Sequence, residues 1–212
     1  MQTKKIQSVR PILQDITKFY ASFHLPASEV DCGEKCRVNN PNGKPFCCDA
    51  NHAIPALYDA EYDQLKRLTG LWLAPETNLP MADLPDGMGL HRCLGPSRCE
   101  REYRSISCRS FPFFPYVSSD YLFMGLAIEW ELANVCWLAN NLEQVLTAYR
   151  KQFVAAYDTL FCQYQEIFDN YHEHSERSRQ NHADSGLALV LLHRNGKNYS
   201  IDPLTEKKKL LD

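Results

Sequence analysis

Residues 32–48 read CGEKCRVNNPNGKPFCC, and residues 93–114 read CLGPSRCEREYRSISCRSFPFF. These two stretches hold seven of the nine cysteines, Cys32, Cys36, Cys47, Cys48, Cys93, Cys99 and Cys108, leaving Cys136 and Cys162 further on. The first stretch is broken by Gly33, Pro41, Gly43 and Pro45, with Asn39, Asn40 and Asn42 between them. It therefore predicts neither a long helix nor a long strand, and takes its shape from whatever its thiols bind. A disulfide framework suits a short secreted chain with an even cysteine count, and this count is odd. Clustered thiols in a reducing compartment point instead to metal.

Working outward, residues 9–23 place Val9, Ile12, Leu13, Ile16, Phe19, Tyr20 and Phe23 at spacings of three and four, which predicts an amphipathic helix within 8–24. Asp59 caps a helix reaching Leu68 and closed by Gly70. Residues 74–89 read as an irregular loop, 90–94 and 98–103 as a hairpin, and FPFFPY at 111–116 as an extended apolar lid. From Asp120 the chain is expected to be helical, with a break at Asn140–Asn141. A long helix over 142–172 then carries Val145, Tyr149, Phe153, Ala156, Leu160, Tyr164, Ile167 and Tyr171. Ala188–Leu192 and Tyr199–Ile201 flank Asn195–Gly196 as a second hairpin.

The expected fold is mostly α, with a small irregular cysteine-rich metal-binding portion and short β-hairpins. The 212 residues form one domain: a cysteine-rich portion over 27–117 and a helical portion over 118–180, with the N-terminal helix packed on it. A net charge of -3 supplies no basic field for nucleic acid. The longest apolar run, Tyr121–Ile128, is too short to cross a bilayer, and MQTKKIQSVRP has no apolar stretch behind its lysines. The expectation is a cytoplasmic protein without nucleic-acid or membrane partners. A protein partner and the oligomeric state are left open.

The cysteine order is C-x3-C, ten residues, CC, then C-x5-C-x8-C followed by Arg109, Ser110, Phe111 and Pro112. Close pairs let one turn of chain supply two ligands, whereas Cys47 and Cys48 point apart and suit different metals or different irons of one cluster. Arg92, Arg98, Arg101, Arg104 and Arg109 would stabilise an anionic thiolate site. This order resembles the YkgJ-type cysteine-cluster family of zinc- or iron-chelating proteins, over roughly residues 32–136. The resemblance implies an eighth ligand, a place that Cys136 fills. It also implies a link to flagellin lysine N-methylase, and so a cluster-dependent protein-modifying enzyme as the alternative to a metal-binding module or structural zinc module. No nucleophile, base or adenosylmethionine motif is visible to support that alternative.

Irregular spacing with a vicinal pair favours an iron–sulfur (4Fe-4S) cluster over zinc, whose knuckles use C-x2–4-C pairs on both sides of a site. Two zinc sites, one cluster or two clusters remain open. Cys162 sits in the apolar pattern of the long helix and is read as packing. His52 and His91 are candidates for replacement ligands or for groups behind the ligands. His172 and His174 do not share a helix face.

Overall fold

The computed structural model describes residues 16–75 and 87–211. Helix α1 (Ile16–Ser22) buries Ile16, Phe19 and Tyr20, as the periodicity predicts; residues 9–15 of the expected helix lie outside the described residues. α2 (Cys32–Arg37) is a short helix capped by Asp31, whose Oδ1 accepts from the Gly33 and Glu34 amides at 3.1 and 3.3 Å. β1 (Ala56–Tyr58) leads into α3 (Asp59–Leu68), which ends where predicted, but its N-cap is Tyr58 and the expected cap Asp59 lies in the first turn. β2 (Trp72–Pro75) and β3 (Met88–Cys93) follow.

The expected hairpin at 90–103 does not form. β3 pairs antiparallel with β1 and β2 in the order β1-β3-β2, and residues 96–98 and 101–103 are 3-10 turns. Gly89 and His91 are buried on one face of β3, and both edges of β3 are taken by β1 and β2, which leaves no edge for residues 98–103 to pair with. α4 (Ile106–Ser110) is the short helix that carries Cys108.

The mostly-α expectation is overturned. A five-stranded antiparallel sheet, in the order β4-β5-β6-β7-β8, is built from Phe113–Val117, Phe123–Ile128, Leu189–His193, Asn198–Ile201 and Lys208–Leu210. The stretch expected to be helical from Asp120 instead forms β5 and three 3-10 turns, at 130–132, 138–140 and 142–144. Residues 123–128 of that apolar run are buried or nearly so on both faces of a sheet, and such a strand has no period to separate it from a buried helix. The FPFFPY segment is likewise structural. Phe113 faces Tyr149 at 6.3 Å between ring centres, while Phe114 meets His174 edge-on at 4.5 Å from the other face.

The long helix is two helices, α5 (Thr147–Gln163) and α6 (Gln165–Asp184), parted at Tyr164 by an extended backbone. The apolar spacing runs straight through that break, and no Gly or Pro marks it. α6 covers the outer edge of β4: the Val117 amide donates to Ser175 Oγ at 2.9 Å, and Arg179 donates to the Val117 carbonyl at 3.1 Å. The second hairpin is present, as β6 and β7. Among the described residues, no helix is long and apolar enough to cross a membrane.

Candidate functional site

Each cysteine-bearing segment is held by a specific local device. Asp31 caps α2, and its other carboxylate oxygen accepts from Arg101 Nη2 at 2.8 Å. This joins the Cys32–Cys36 helix to the turn between Cys99 and Cys108. Both side chains are half-exposed, so the ion pair contributes about 0.5 kcal/mol and acts mainly as a register pin. The 38–52 loop folds around Asp49. Its carboxylate accepts from Asn40 and Asn42 Nδ2 at 3.0 and 2.8 Å and from the Asn51 amide at 3.2 Å. These hydrogen bonds hold the Asp49 carboxyl down to about 2. The loop is irregular in sequence, and its asparagine-rich stretch ending in Asp is the signal for a side-chain scaffold.

Cys108 sits in the first turn of α4, its amide donating to the capping Ser105 Oγ at 3.2 Å. The far end of α4 is fixed by α5. Tyr149 donates to the Arg109 and Ser110 carbonyls at 3.0 Å each, and Ser110 Oγ lies 2.8 Å from Tyr157 Oη. Arg109 is consumed as a staple. Its guanidinium lies 3.9 Å from the centre of the Tyr20 ring and donates to the Arg104, Phe23 and Glu102 carbonyls. Cys136 ends a turn in which its amide donates to the Leu132 carbonyl at 2.9 Å. Cys93 ends β3, opposite Trp72.

These devices make neighbours of the eight cysteines named above. Cys36, Cys93 and Cys108 all lie within electrostatic reach of Cys48, and Cys32 and Cys136 lie within reach of Cys47. Cys99 neighbours Cys93, and its sulfur accepts from Arg104 Nε at 3.3 Å. Cys162 is exposed on α5. The expected packing role of Cys162 is overturned: it occupies the solvent side of the helix whose other side carries Phe153, Ala156, Tyr157 and Leu160. Among the described residues, no three His, Cys, Asp or Glu side chains are already closed around a point that could hold a metal ion. The thiols form a neighbourhood, and a bound ion would have to draw them in.

Their protonation follows their surroundings. Burial pushes Cys108 up to about 12 and Cys136 up to about 11, and raises Cys32, Cys36 and Cys93. Cys48 behaves oppositely. The Cys47 thiol donates a hydrogen bond to it, and Arg104 and Arg101 face it, so Cys48 is brought down to about 7 while Cys47 is driven up. A set of neutral thiols around one easily ionised sulfur fits a soft cation, whose binding displaces the remaining protons.

His91 Nδ1 is 3.1 Å from the Leu73 carbonyl and its ring packs on Tyr62 at 4.2 Å, while its Nε2, beside Gly89, is buried without a hydrogen-bond partner. His52 lies edge-on to Phe46 at 4.8 Å, and His172 stacks on Tyr121 at 3.9 Å. His174 Nε2 is 2.9 Å from Glu129 Oε2. A cleft of about 220 Å³ opens between the segments that follow Cys48 and Cys108, lined by His52, Ile54, Phe111, Glu129, Glu131 and Leu132. No protein-family model matches the chain, and no curated protein or solved structure matches it.

Proposed function

We propose that this chain is a thiolate metal-binding protein, using Cys32, Cys36, Cys47, Cys48, Cys93, Cys99, Cys108 and Cys136, with an iron–sulfur cluster preferred over zinc. The observation that carries this reading is that six of these cysteines, drawn from five separate segments, lie in or against one core and Arg104 Nε donates to Cys99 Sγ at 3.3 Å, while the ninth cysteine stays on an exposed helix face. The donor set is all thiol, which suits zinc and iron–sulfur chemistry and disfavours calcium or magnesium. Arg101 and Arg104 supply positive charge beside the most ionisable sulfur.

The preference for iron rests on the irregular ligand spacing. Elemental analysis and an absorption spectrum of anaerobically purified protein test both levels of the proposal. Iron, acid-labile sulfide and a broad band near ~400 nm are expected. Colourless protein with stoichiometric zinc, even after reconstitution with iron and sulfide, would remove the iron preference and keep the metal site. Protein that holds neither metal would remove the site.

A further inference from the structure

We propose that Asn42–Gly43 is a self-modification site gated by its own loop. Asn42 is protected while the loop is closed on Asp49 and converts to aspartate or isoaspartate when the loop opens, and the product prevents reclosure. The inference stands apart from the metal-binding reading. It concerns the covalent state of the segment that carries Cys47 and Cys48.

The chain contains the tripeptide Asn-Gly-Lys twice, at 42–44 and 195–197. In each, the glycine nitrogen follows the asparagine directly and carries no side chain to block its approach to the asparagine carboxamide. The Gly43 nitrogen, giving up its proton to solvent base, bonds to Asn42 Cγ, and the Cγ–Nδ2 bond breaks to release ammonia. Water then opens the cyclic imide at either carbonyl, leaving aspartate or isoaspartate at 42. No reactant beyond water is consumed. Asn42 and Gly43 are exposed, Gly43 has φ 62°, and apart from its chain neighbours nothing lies within 4 Å of where a Cβ would stand on it. Water and base therefore reach the site.

In the closed loop both reacting groups are engaged. The Gly43 amide donates to the Asn40 carbonyl at 2.8 Å, and Asn42 Nδ2 donates to Asp49 Oδ2 at 2.8 Å. Attack requires both bonds to break, so its rate follows the opening of this loop. Closure afterwards is opposed. Aspartate at 42 offers a carboxylate where Asp49 had a donor, which brings two like charges to hydrogen-bond distance. Isoaspartate also inserts a methylene into the main chain. The Asp49 carboxylate is left with Asn40 Nδ2 and the Asn51 amide. Its backbone anchors what surrounds it: the Asp49 amide donates to the Phe46 carbonyl at 3.2 Å, and its carbonyl accepts from the His52 and Ala53 amides at 2.8 and 2.9 Å. Loosening Asp49 therefore loosens the 3-10 turn of Phe46–Cys48. The second tripeptide is held differently. Asn195 Nδ2 donates to Tyr199 Oη and its Oδ1 accepts from the Lys197 amide, both at 3.0 Å, and the Gly196 amide donates to the His193 carbonyl at 2.9 Å. It closes the β6–β7 hairpin, which is paired on both sides by β5 and β8, so it opens only when strands part.

The test incubates the unaltered chain at mildly alkaline pH, folded and in urea, and follows both asparagines by peptide mass spectrometry through the mass gained when amide becomes acid. In urea the two should convert at similar rates, since each precedes Gly-Lys. In the folded chain Asn42 should be slower than in urea yet at least about tenfold faster than Asn195, because a loop opens more readily than a hairpin inside a sheet. Asp49→Ala, which removes the acceptor of Asn42 Nδ2, should bring Asn42 near its urea rate and leave Asn195 unchanged. Asn42→Asp should speed hydrogen exchange at the Cys48, Asp49, His52 and Ala53 amides and leave the β6–β7 hairpin unchanged. Asn42 no faster than Asn195 in the folded chain, as fast there as in urea, or unaffected by Asp49→Ala overturns the gate. Unchanged exchange at 48–53 in Asn42→Asp overturns the block on reclosure. If Asp49→Ala fails to fold, the comparison of folded and urea rates in the unaltered chain decides the gate alone.

Discussion

Replacing Glu61 by Gln should reverse the sign of its effect on stability as pH changes. Glu61 is fully buried beneath α1, its Oε1 accepting from Tyr20 Oη at 2.5 Å and from the Ile106 amide at 2.7 Å, and its Oε2 from the Tyr58 amide at 3.4 Å. Burial dominates over these donors and over nearby Arg109, holding the carboxyl at about 7 instead of its ordinary 4.5. At low pH the group is neutral in both the folded and unfolded chain. As pH rises from 4.5, the unfolded chain releases the proton first, and the folded chain follows only near 7. The stability contributed by the protonated group is therefore lost through this window. At about 1.4 kcal/mol per pH unit, the loss is about 3 kcal/mol. Gln keeps an oxygen for Tyr20 and Ile106 but turns an amide toward the Tyr58 N–H, at a cost of about 1 kcal/mol that does not vary with pH. The variant should thus be less stable by about 1 kcal/mol below pH 4.5 and more stable by about 2 kcal/mol above pH 7. Urea denaturation of both proteins, in the same metal-free state across pH 4–8, measures the difference directly. A difference that stays constant over that range would refute the reasoning, because it would mean that Glu61 ionises alike in the folded and unfolded chain.

Two further perturbations probe the sheet on which the α5–α6 pair rests. Gly125 has φ 142° on β5, and a Cβ there would meet the Leu192 carbonyl oxygen of β6 at 2.4 Å. Gly125→Ala should cost more than about 3 kcal/mol by thermal or urea denaturation, and a cost under about 1 kcal/mol would contradict that approach of the two strands. Arg179, nearly buried, donates to the Val117 carbonyl, to Tyr116 Oη and to Glu206 Oε1 at 3.1, 3.3 and 3.2 Å. Arg179→Met should cost about 2–4 kcal/mol, chiefly from the unmatched carbonyl and carboxylate it leaves behind; an unchanged denaturation midpoint would show that the latch carries no stability.

The sequence by itself determined those features set by local chemistry. The helix at 59–68 has its boundary signals within a few residues of its ends, and the 189–201 hairpin has Asn195–Gly196 between two apolar runs. The clustering of seven cysteines within residues 32–108 was legible from the sequence, whereas the short helix α2 was not. Only the tertiary structure decided the rest. Whether 123–128 is strand or helix depends on burial on both faces, which erases the periodicity that local reading uses. The break at Tyr164 follows from packing, since the apolar spacing continues across it. Cys162 shares its helix with buried aromatic residues, yet the rotation of α5 against β5 leaves it in solvent. The neighbours of each thiol are likewise a tertiary matter. Asp31 meets Arg101 across seventy residues. Residue spacing fixes which ligands one turn can offer together, but only the docking of α2, the Asp49 loop and α4 on a shared core fixes which offers meet.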